Sequence, residues 1–285
     1  MLIAREQPAT ADPLADFSLE ITSREAEKLS ANAGDLAPGS AVSIAVLGTE
    51  RPGELAAAAA TIQAAGLAAT PHIAARRLAS HGELASIAAA LQASGVSRAF
   101  VVAGDLDAAH GPFGDAVALL ETGLLGEHGI GTIGIAGYPE GHPKIAAMLL
   151  DQAMRSKLGL IAAAGQRAEI YTQFTFSAAP ILDWLDALRQ SGVDSLVRIG
   201  VPGPAGLATL ARYASTCGVQ ASARVLAKYG ASMARAVNAA GPDRLLGELG
   251  DKLDPARHGD TAIHFFPFGA PQRTLKYAAA FRERA

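Results

Sequence analysis

Short apolar runs alternate with longer segments of helical pattern along most of this chain, and this alternation limits the folds that the chain can adopt. The runs are five to seven residues long, and Gly, Pro or polar residues bound most of them, which is typical of strands buried in a sheet. Such apolar strands belong to a parallel sheet that helices cover. We predict eight strands, at residues 17–21, 41–47, 68–73, 98–102, 132–136, 168–172, 195–199 and 261–266.

The segments between these strands have the apolar spacing of helices. We predict helices at residues 25–33, 53–65, 81–94, 114–125, 143–164, 181–190, 207–216 and 273–284, with further helices within 221–255. This order predicts an α/β fold, a single-domain (βα)8 TIM barrel at residues 17–285 after an N-terminal arm at residues 1–16. An open doubly wound sheet is the alternative, but no Gly-x-Gly-x-x-Gly stands between a first strand and helix.

Composition and charge exclude several classes of function. The chain has 24 Lys and Arg against 27 Asp and Glu, so no nucleic-acid partner is expected. Its apolar runs are too short and too interrupted for a membrane span, and Arg5 and Glu6 stand where a signal peptide needs its apolar segment. Cys217 is the only cysteine, which excludes an internal disulfide and a cysteine-rich metal site. These features predict a soluble cytoplasmic protein.

Polar side chains fall at or near the carboxyl ends of several predicted strands. Glu20 lies in the first strand and His72 near the end of the third, and the others follow strands four to six: Asp105, Tyr138, His142 and Gln173. Because catalytic groups of a (βα)8 barrel gather at the carboxyl ends of its strands, we expect these side chains to surround one site. Two plainer interpretations remain: Glu20 faces solvent on a half-buried strand, and the segment YPEGHP at 138–143 is an ordinary strand-to-helix turn.

The residue types at these positions narrow the chemistry. The sequence has no His-x-His or His-Glu-x-x-His, so no metal site is predicted. No Cys, Ser or Lys stands at a strand end as an activated nucleophile, and Cys217 is expected to pack as a small apolar residue. The loop VPGPAG at 201–206 resembles a phosphate-binding loop, but its prolines remove amide donors. Two carboxylates with amide, phenol and imidazole groups suit the binding of a cofactor and the protonation of a nitrogen.

These residues resemble the methylenetetrahydrofolate reductase family of flavin-dependent barrels. The similarity runs from about Phe17 to the last helix and rests on FSLE at 17–20, GD at 104–105, YPEGHP at 138–143 and TQF at 172–174. YPE-x-HP followed by TQF at this distance is the most specific part. The resemblance implies that the chain binds FAD, uses NADH or NADPH as co-substrate, and interconverts 5,10-methylenetetrahydrofolate and 5-methyltetrahydrofolate in one-carbon metabolism and methionine biosynthesis.

The resemblance also implies roles for individual residues. Glu20 matches the general acid that protonates the folate nitrogen, and Asp105 matches the aspartate beside flavin and pterin, so both are candidate catalytic residues. The residues that match FAD contacts are His72, Gly104, Asp105, Tyr138, His142, Asp151 and Lys157. The residues that match folate or nicotinamide contacts are Gln173, Thr209, Tyr213 and Arg273. Members of the family form oligomers, so a homo-oligomer is expected.

The chain departs from the family pattern chiefly at the cofactor end of the site. Ala45 stands where threonine is common and Ala103 where arginine is common, and both replacements remove hydrogen bonds to FAD. Ile21 and Thr22 replace an aromatic-proline continuation after Glu20. The alternative is therefore a barrel that binds folate or flavin, catalyses weakly and acts with a partner subunit. A flavin-free lyase that uses Glu20 as a base is a third hypothesis, which no motif supports.

Overall fold

A computed structural model describes residues 14–46, 52–216 and 242–284. Within them the chain forms a closed barrel of eight parallel strands in sequence order. The strands are β1 (Ser18–Thr22), β2 (Ala41–Ala45), β3 (Ala68–Ala74), β4 (Arg98–Val102), β5 (Thr132–Gly137), β6 (Arg167–Thr172), β7 (Leu196–Pro202) and β8 (Thr261–Phe266). Pairing of Ser18 with His264 and of Leu19 with Phe265 closes the barrel between β1 and β8. The predicted (βα)8 fold is confirmed.

Helices follow the strands and cover the outside of the barrel. They are α1 (Ala26–Ser30), α2 (Pro52–Ala64), α3 (His81–Ala93), α4 (Ala116–Leu120), α5 (Leu124–Glu127), α6 (Ala147–Ala163), α7 (Ala178–Gln190), α8 (Leu207–Thr216), α9 (Asp243–Lys252), α10 (Pro255–His258) and α11 (Pro271–Arg282). Short 3-10 turns occur at Ser23–Glu25, Ala33–Asp35 and Ala75–Arg77. In the described ranges, no helix has both the length and the apolar character that crossing a membrane requires.

Side chains along each strand alternate between the helix-facing layer and the barrel interior. In β1, Leu19 and Ile21 are buried in the main hydrophobic core. Ser18 and Glu20, at the alternate positions, meet residues of other strands inside the barrel. The hydrophobic core therefore lies between the barrel and its helices, and the interior is left to polar and aromatic side chains.

A buried ionic cluster lies inside the barrel on β4, β6 and β7. Glu169 is 3% exposed and accepts hydrogen bonds from Arg98 at 2.5 Å and from Arg198 at 2.9 Å. The hydroxyl of Tyr171 donates to the same carboxylate oxygen at 3.2 Å. A buried carboxylate requires partners of this kind, because an isolated charge is costly to remove from water. The cluster thus links β4 to β6 and β7 from within, across the intervening β5.

Most predicted helices differ from the structure by one to three residues at an end, and two differ more. The helix predicted at 114–125 is two short helices, α4 and α5, because Gly123 adopts a φ of 69° immediately before α5. The helix predicted at 143–164 begins only at Ala147, since His142 and Ile145 first pair in an isolated antiparallel bridge. The segment between β5 and α6 is therefore longer than the sequence pattern indicates.

Residues 14–16, which the sequence analysis assigns to the N-terminal arm, pack on the barrel. Leu14 is fully buried, and its carbonyl accepts a hydrogen bond from Arg282 of α11. Asp16 lies 3.6 Å from Arg198. The rest of the predicted arm, Cys217 and the helices predicted within 221–241 lie outside the described residues.

Candidate active site

Glu20 and His72 lie together inside the barrel towards the carboxyl ends of its strands. Glu20 is the third residue of β1, and His72 is the fifth residue of β3. The Nε2 atom of His72 is 3.7 Å from Oε2 of Glu20, and the two side chains are 13% and 26% exposed, respectively. Most of each side chain is therefore buried, while part of each remains accessible from the mouth of the barrel.

The surroundings of this pair disfavour the charged form of both groups. Burial, with a smaller contribution from the charge of Glu25, raises the pKa of Glu20 to about 7. Burial lowers the pKa of His72 to about 3. Although the two groups lie within ion-pair distance, His72 is neutral at pH 7, so the pair is not a salt bridge, and Glu20 is present there in both its protonated and its ionised form. Glu20 can therefore donate a proton near neutral pH.

A capping box fixes the chain immediately after Glu20. The backbone N–H and the hydroxyl of Thr22 donate to Oε2 of Glu25 at 2.8 and 2.9 Å. These bonds satisfy groups at the start of the helical segment and hold the Glu25 carboxylate close to β1. The local sequence therefore both ends β1 and supplies a negative charge that opposes the ionisation of Glu20.

Aromatic rings from four strands pack together inside the barrel next to the pair. The ring of His72 stacks on Phe100 with centroids 4.4 Å apart. Phe100 packs edge-on against Tyr171 at 5.1 Å, and Tyr171 packs edge-on against His264 at 5.0 Å. Gly134 of β5 makes room for these rings, since a Cβ atom there would lie 2.6 Å from Phe100. The rings exclude water from this part of the interior and so contribute to the burial of the acid.

A buried hydroxyl lies on the strand next to Glu20. Ser43 of β2 pairs in register with Glu20 of β1 and with Thr70 of β3. Its side chain is 1% exposed, and its Oγ atom has no hydrogen-bond partner within the described protein. Because buried polar groups are nearly always satisfied, a water molecule or a bound ligand suits this position.

The loop after β4 presents Asp105 at the rim of the barrel. Gly104 has a φ of 93°, which side-chain-bearing residues rarely adopt, and it turns the chain sharply after the strand. The Nε and Nη2 atoms of Arg77 donate to Oδ1 of Asp105 at 3.1 and 2.6 Å. The side chain of Asp105 is 74% exposed, whereas that of Arg77 is 21% exposed. Arg77 thus orients the carboxylate while leaving it accessible.

The loop after β5 places Tyr138 and His142 beside each other. Their ring centroids are 5.2 Å apart, and the rings are nearly perpendicular. The N–H of Lys144 donates to Nδ1 of His142 at 3.2 Å. Burial, and then the charge of Lys144, lower the pKa of His142. A phenol and a neutral imidazole are therefore available at this rim.

The loop after β6 carries Gln173 and is tied to the loop after β5. The N–H of Gln173 donates to the carbonyl of Gly137 at 2.9 Å, which continues the pairing of β5 and β6 by one step. The Oε1 atom of Gln173 accepts a hydrogen bond from the N–H of Phe174 at 3.0 Å. Further along, the hydroxyl of Thr175 donates to Oε1 of Glu140 at 2.5 Å.

Two candidate FAD contacts lie on α6. Asp151 is 61% exposed and pairs with Arg155 at 2.8 Å. Lys157 is partly buried, and burial lowers its pKa against the opposing effect of the Asp115 carboxylate. Both residues lie on the helix that follows the loop carrying Tyr138 and His142.

The other candidate substrate contacts belong to helices near the β8 loop. Thr209 and Tyr213 lie on α8, and Arg273 is an exposed residue of α11. The ring of Tyr213 lies 4.5 Å from that of Phe268. Phe268 has a φ of 52° and is the non-glycine residue with positive φ in the described chain. Strained backbone of this kind occurs most often at functional sites.

Contacts bring together some of the residues that the sequence analysis singled out, and they add others. Glu20 meets His72, and Tyr138 meets His142. Several side chains that support the site were not predicted from the sequence: Arg77, Ser43, Thr175 and the rings around His72. Glu140 belongs to the YPEGHP segment, but its contact with Thr175 was not predicted. Charged and aromatic residues within short apolar strands, such as Arg98 and His264, are the signal in the sequence that the interior is polar.

A cavity of about 500 Å³ opens at the opposite, amino-terminal end of the barrel. The starts of β6, β7 and β8 line it, together with Asp16, Asp194 and Asp260. It lies far from the strand ends that carry Asp105, Tyr138 and Gln173. Because barrel enzymes place their chemistry at the carboxyl ends of the strands, this cavity is not the candidate active site. In the ranges 14–46, 52–216 and 242–284, no group of three His, Cys, Asp or Glu residues has metal-binding geometry.

Comparison with known proteins shows the fold. No protein-family model matches this sequence. A solved structure of a protein from Clostridium thermocellum, described as uncharacterized and as binding two copies of 5-methyl-5,6,7,8-tetrahydrofolic acid, is similar with a TM-score of 0.59 and 9% identity. The similarity covers 95% of this chain and 96% of that one. Dihydropteroate synthase from Thermus thermophilus, in complex with 6HMPPP, matches with a TM-score of 0.49 and 13% identity, over 94% of this chain and 93% of that chain.

Proposed function

We propose that this chain is an FAD-dependent oxidoreductase that interconverts 5,10-methylenetetrahydrofolate and 5-methyltetrahydrofolate, with a nicotinamide as hydride donor or acceptor. The observation that carries the proposal is the largely buried Glu20 carboxyl beside His72 in the barrel mouth, where burial raises the pKa of Glu20 to about 7. Reduction of the methylene carbon requires that a folate nitrogen first gain a proton, and an acid with a pKa near the working pH does this best. The Clostridium thermocellum protein of the same fold, which binds a methylated tetrahydrofolate, supports a folate substrate.

The residues at the mouth fit FAD. The donor set offers a phenol, imidazoles and a carboxylate at the ends of adjacent strands, and the buried Ser43 hydroxyl suits one more polar partner. The rings of His72 and Phe100 stack inside the barrel, and such flat surfaces suit contact with the planar ring system of a flavin. When bound, FAD supplies the hydride transfer between nicotinamide and folate. Tyr138, His142, Asp151 and Lys157 would hold it from the loop after β5 and from α6, with His72 and Gly104.

The chain itself supplies orientation and a proton. Glu20 gives its proton to the folate nitrogen as the five-membered ring opens, and takes it back in the reverse direction. Asp105, oriented by Arg77, positions the pterin from the rim. Gln173 contacts folate or nicotinamide from the loop after β6, and Thr209, Tyr213 and Arg273 hold the more distant part of the substrate. Such positioning is effective because the groups are fixed before the substrate arrives.

The substitution Glu20→Gln tests the role of the acid. Glutamine keeps the shape of the side chain but removes the proton donor. We expect the variant to lose folate turnover and to retain reduction of bound FAD by NADH, measured anaerobically as loss of flavin absorbance. Equal loss of both half-reactions would contradict a role as proton donor to the folate.

The visible spectrum of the purified protein tests the cofactor. We expect flavin absorbance, in the protein as purified or after incubation with FAD, and bleaching on anaerobic addition of NADH or NADPH. Rates with each nicotinamide then identify the preferred co-substrate.

The second candidate function is binding rather than catalysis. In it the barrel binds folate, catalyses weakly and acts with a partner subunit. The observation that favours it is the pair of apolar residues, Ala45 and Ala103, at the ends of β2 and β4, where hydrogen-bonding residues would strengthen the binding of FAD. This candidate predicts a protein that is colourless and stays colourless with excess FAD, yet binds 5-methyltetrahydrofolate.

A further inference from the structure

Two loops of the candidate site, which the proposed function assigns to different ligands, are joined by side chains. We call residues 138–142, after β5, the cofactor loop and residues 173–177, after β6, the substrate loop. The last backbone hydrogen bond between the two chain segments runs from Gln173 to Gly137 at 2.9 Å. Beyond it, residues 139–141 and 173–175 of the two loops line a cleft of only about 10 Å³.

A hydrogen bond crosses this cleft. The hydroxyl of Thr175 donates to Oε1 of Glu140 at 2.5 Å, a length typical of a hydroxyl that donates to a charged carboxylate. Thr175 is 1% exposed, so little water competes for the bond. Hydrogen bonds to charged groups in such surroundings are stronger than neutral ones.

Both partners are themselves fixed to the barrel. The N–H of Thr175 donates to the carbonyl of Gly200 on β7 at 3.4 Å, and its hydroxyl accepts from the N–H of Ser177 at 3.2 Å. Glu140 is the third residue of a turn in which the N–H of Gly141 donates to the carbonyl of Tyr138 at 2.9 Å. The hydrogen bond therefore joins a firmly held substrate loop to a cofactor loop whose following residues, 143–149, are exposed.

We propose that Glu140 and Thr175 are positioning residues, and that their hydrogen bond fixes the cofactor loop relative to the substrate loop. The inference rests on the proposed function, because it assigns Tyr138 and His142 to one ligand and Gln173 to another. Neither Glu140 nor Thr175 needs to touch a ligand. Their bond sets the separation of the two groups of contacts before either ligand arrives, and such preorganisation strengthens the binding of both ligands.

A double-mutant cycle tests this coupling. Thr175→Val removes the donor hydroxyl with little change of shape, and Glu140→Ala removes the acceptor. Thr175→Ser, which keeps the hydroxyl, and Glu140→Gln, which keeps an acceptor oxygen, are the matched controls. For each variant and the double mutant, we would measure the Kd of FAD by flavin fluorescence, the KM and kcat with 5-methyltetrahydrofolate, and the melting temperature.

Trp184 provides a readout without any ligand. It is the only tryptophan of the chain, and its ring packs on Gly137, where an added Cβ would lie 2.9 Å from the indole. It therefore lies at the base of the cofactor loop. We expect Thr175→Val and Glu140→Ala to change its emission and its quenching by acrylamide, and Thr175→Ser to leave both close to wild type.

The expected result is coupled loss of both binding functions. Each disruptive single variant should raise the Kd of FAD and the KM for folate about ten-fold, the size of one hydrogen bond to a charged group, with a smaller change in kcat. The double mutant should be no worse than either single variant, because both remove the same bond.

Three results overturn the inference, and they are distinguishable from one another. Additive effects in the cycle would show that Glu140 and Thr175 act independently. A lower melting temperature with unchanged Kd and KM would show that the bond stabilises the fold without positioning the loops. If the wild-type protein binds neither FAD nor folate, the proposed function fails, and the positioning role fails with it.

Discussion

Glu20 carries opposing requirements for stability and for chemistry. Burial raises its pKa to about 7. A raised pKa keeps a proton available for chemistry, but it also means that the ionised carboxylate destabilises the folded protein. A carboxyl group whose pKa is raised on folding contributes its full stability below the pKa of the unfolded chain and loses that contribution as the pH rises through the folded pKa. For Glu20 this window extends from 4.5 to about 7.

This linkage predicts a pH-dependent difference between wild type and Glu20→Gln. Between about pH 5 and about pH 8, wild type should lose up to about 3 kcal/mol of unfolding free energy relative to the variant, because glutamine does not ionise. Urea unfolding of both proteins across this range measures the difference. A constant difference would mean that the Glu20 carboxyl is not buried in the folded protein. Folate turnover by wild type should fall over the same upper range, as Glu20 loses its proton.

Arg77 orients the carboxylate of Asp105, a contact that the sequence did not predict. Its guanidinium makes two hydrogen bonds to Oδ1 of Asp105, and without them an exposed carboxylate has more freedom to turn away from the mouth. We expect Arg77→Met to raise the KM for folate several-fold and to leave the melting temperature nearly unchanged, since exposed ion pairs contribute about 0–1 kcal/mol. Steady-state kinetics and thermal melts check this.

Arg244→Met is the matched control for Arg77. Arg244 also pairs with a carboxylate, Glu248, at 2.8 Å, but on the surface of α9. Its loss should change neither KM nor kcat. An equal change in both variants would indicate that overall charge, rather than the orientation of Asp105, affects the substrate.

At the level of strands, the buried ionic cluster has the largest expected effect on stability. Burial alone would raise the pKa of Glu169, but Arg198 and Arg98 outweigh it and lower that pKa. A lowered pKa means that the stabilisation is present above the unfolded pKa and is lost as the pH falls. The cluster therefore makes the barrel sensitive to acid, since protonation of Glu169 removes the carboxylate that Arg98 and Arg198 share and leaves Arg198 with only the more distant Asp16.

The substitution Glu169→Gln tests the cluster. It leaves Arg98 and Arg198 buried with a neutral partner, and breaking a buried pair in this way costs about 3–5 kcal/mol. Urea unfolding measures the loss. Glu248→Gln, in the exposed pair on α9, is the control and should cost less than about 1 kcal/mol. If both substitutions cost the same small amount, the cluster does not hold β4, β6 and β7 together.

The strands are the elements that the sequence predicts best. Runs such as 41–47 and 132–136 are apolar and bounded by turn residues, so their number and order follow from local pattern, and the barrel follows from their order. Helix bounds are harder to predict from the sequence. Gly123 interrupts an otherwise apolar pattern, and the bridge between His142 and Ile145 delays α6 through a contact that pattern alone does not specify.

The site is predictable only where strand ends determine it. Glu20 and His72 are inward-facing residues of β1 and β3, so the barrel itself brings them within 3.7 Å. Partners such as Arg77 for Asp105 and Thr175 for Glu140 come from different loops. Their meeting depends on loop geometry that no spacing in the sequence encodes, which is why the sequence identifies the acid but not the residues that support it.

At the scale of the whole molecule, a ligand in the barrel mouth links elements that are far apart in sequence. The residues proposed to contact ligand lie in or directly after β1, β3, β4, β5 and β6. Strand β1 also closes the barrel against β8. A folate bound there therefore binds the folded chain and not the unfolded one. Ligand at about 100 times its Kd should add about 2.7 kcal/mol to the free energy of unfolding, which is about 5–10 °C in melting temperature for a domain of this size.

Thermal melts with 5-methyltetrahydrofolate, with and without FAD, test binding separately from catalysis. Wild type and Glu20→Gln should both be stabilised by the folate, because the substitution removes a proton and not the shape of the site. Folate that stabilises neither protein contradicts a folate site, whatever the flavin content. Stabilisation of wild type alone would mean that Glu20 acts mainly in binding, since a residue that only transfers a proton contributes to the transition state and not to the affinity of the ground state.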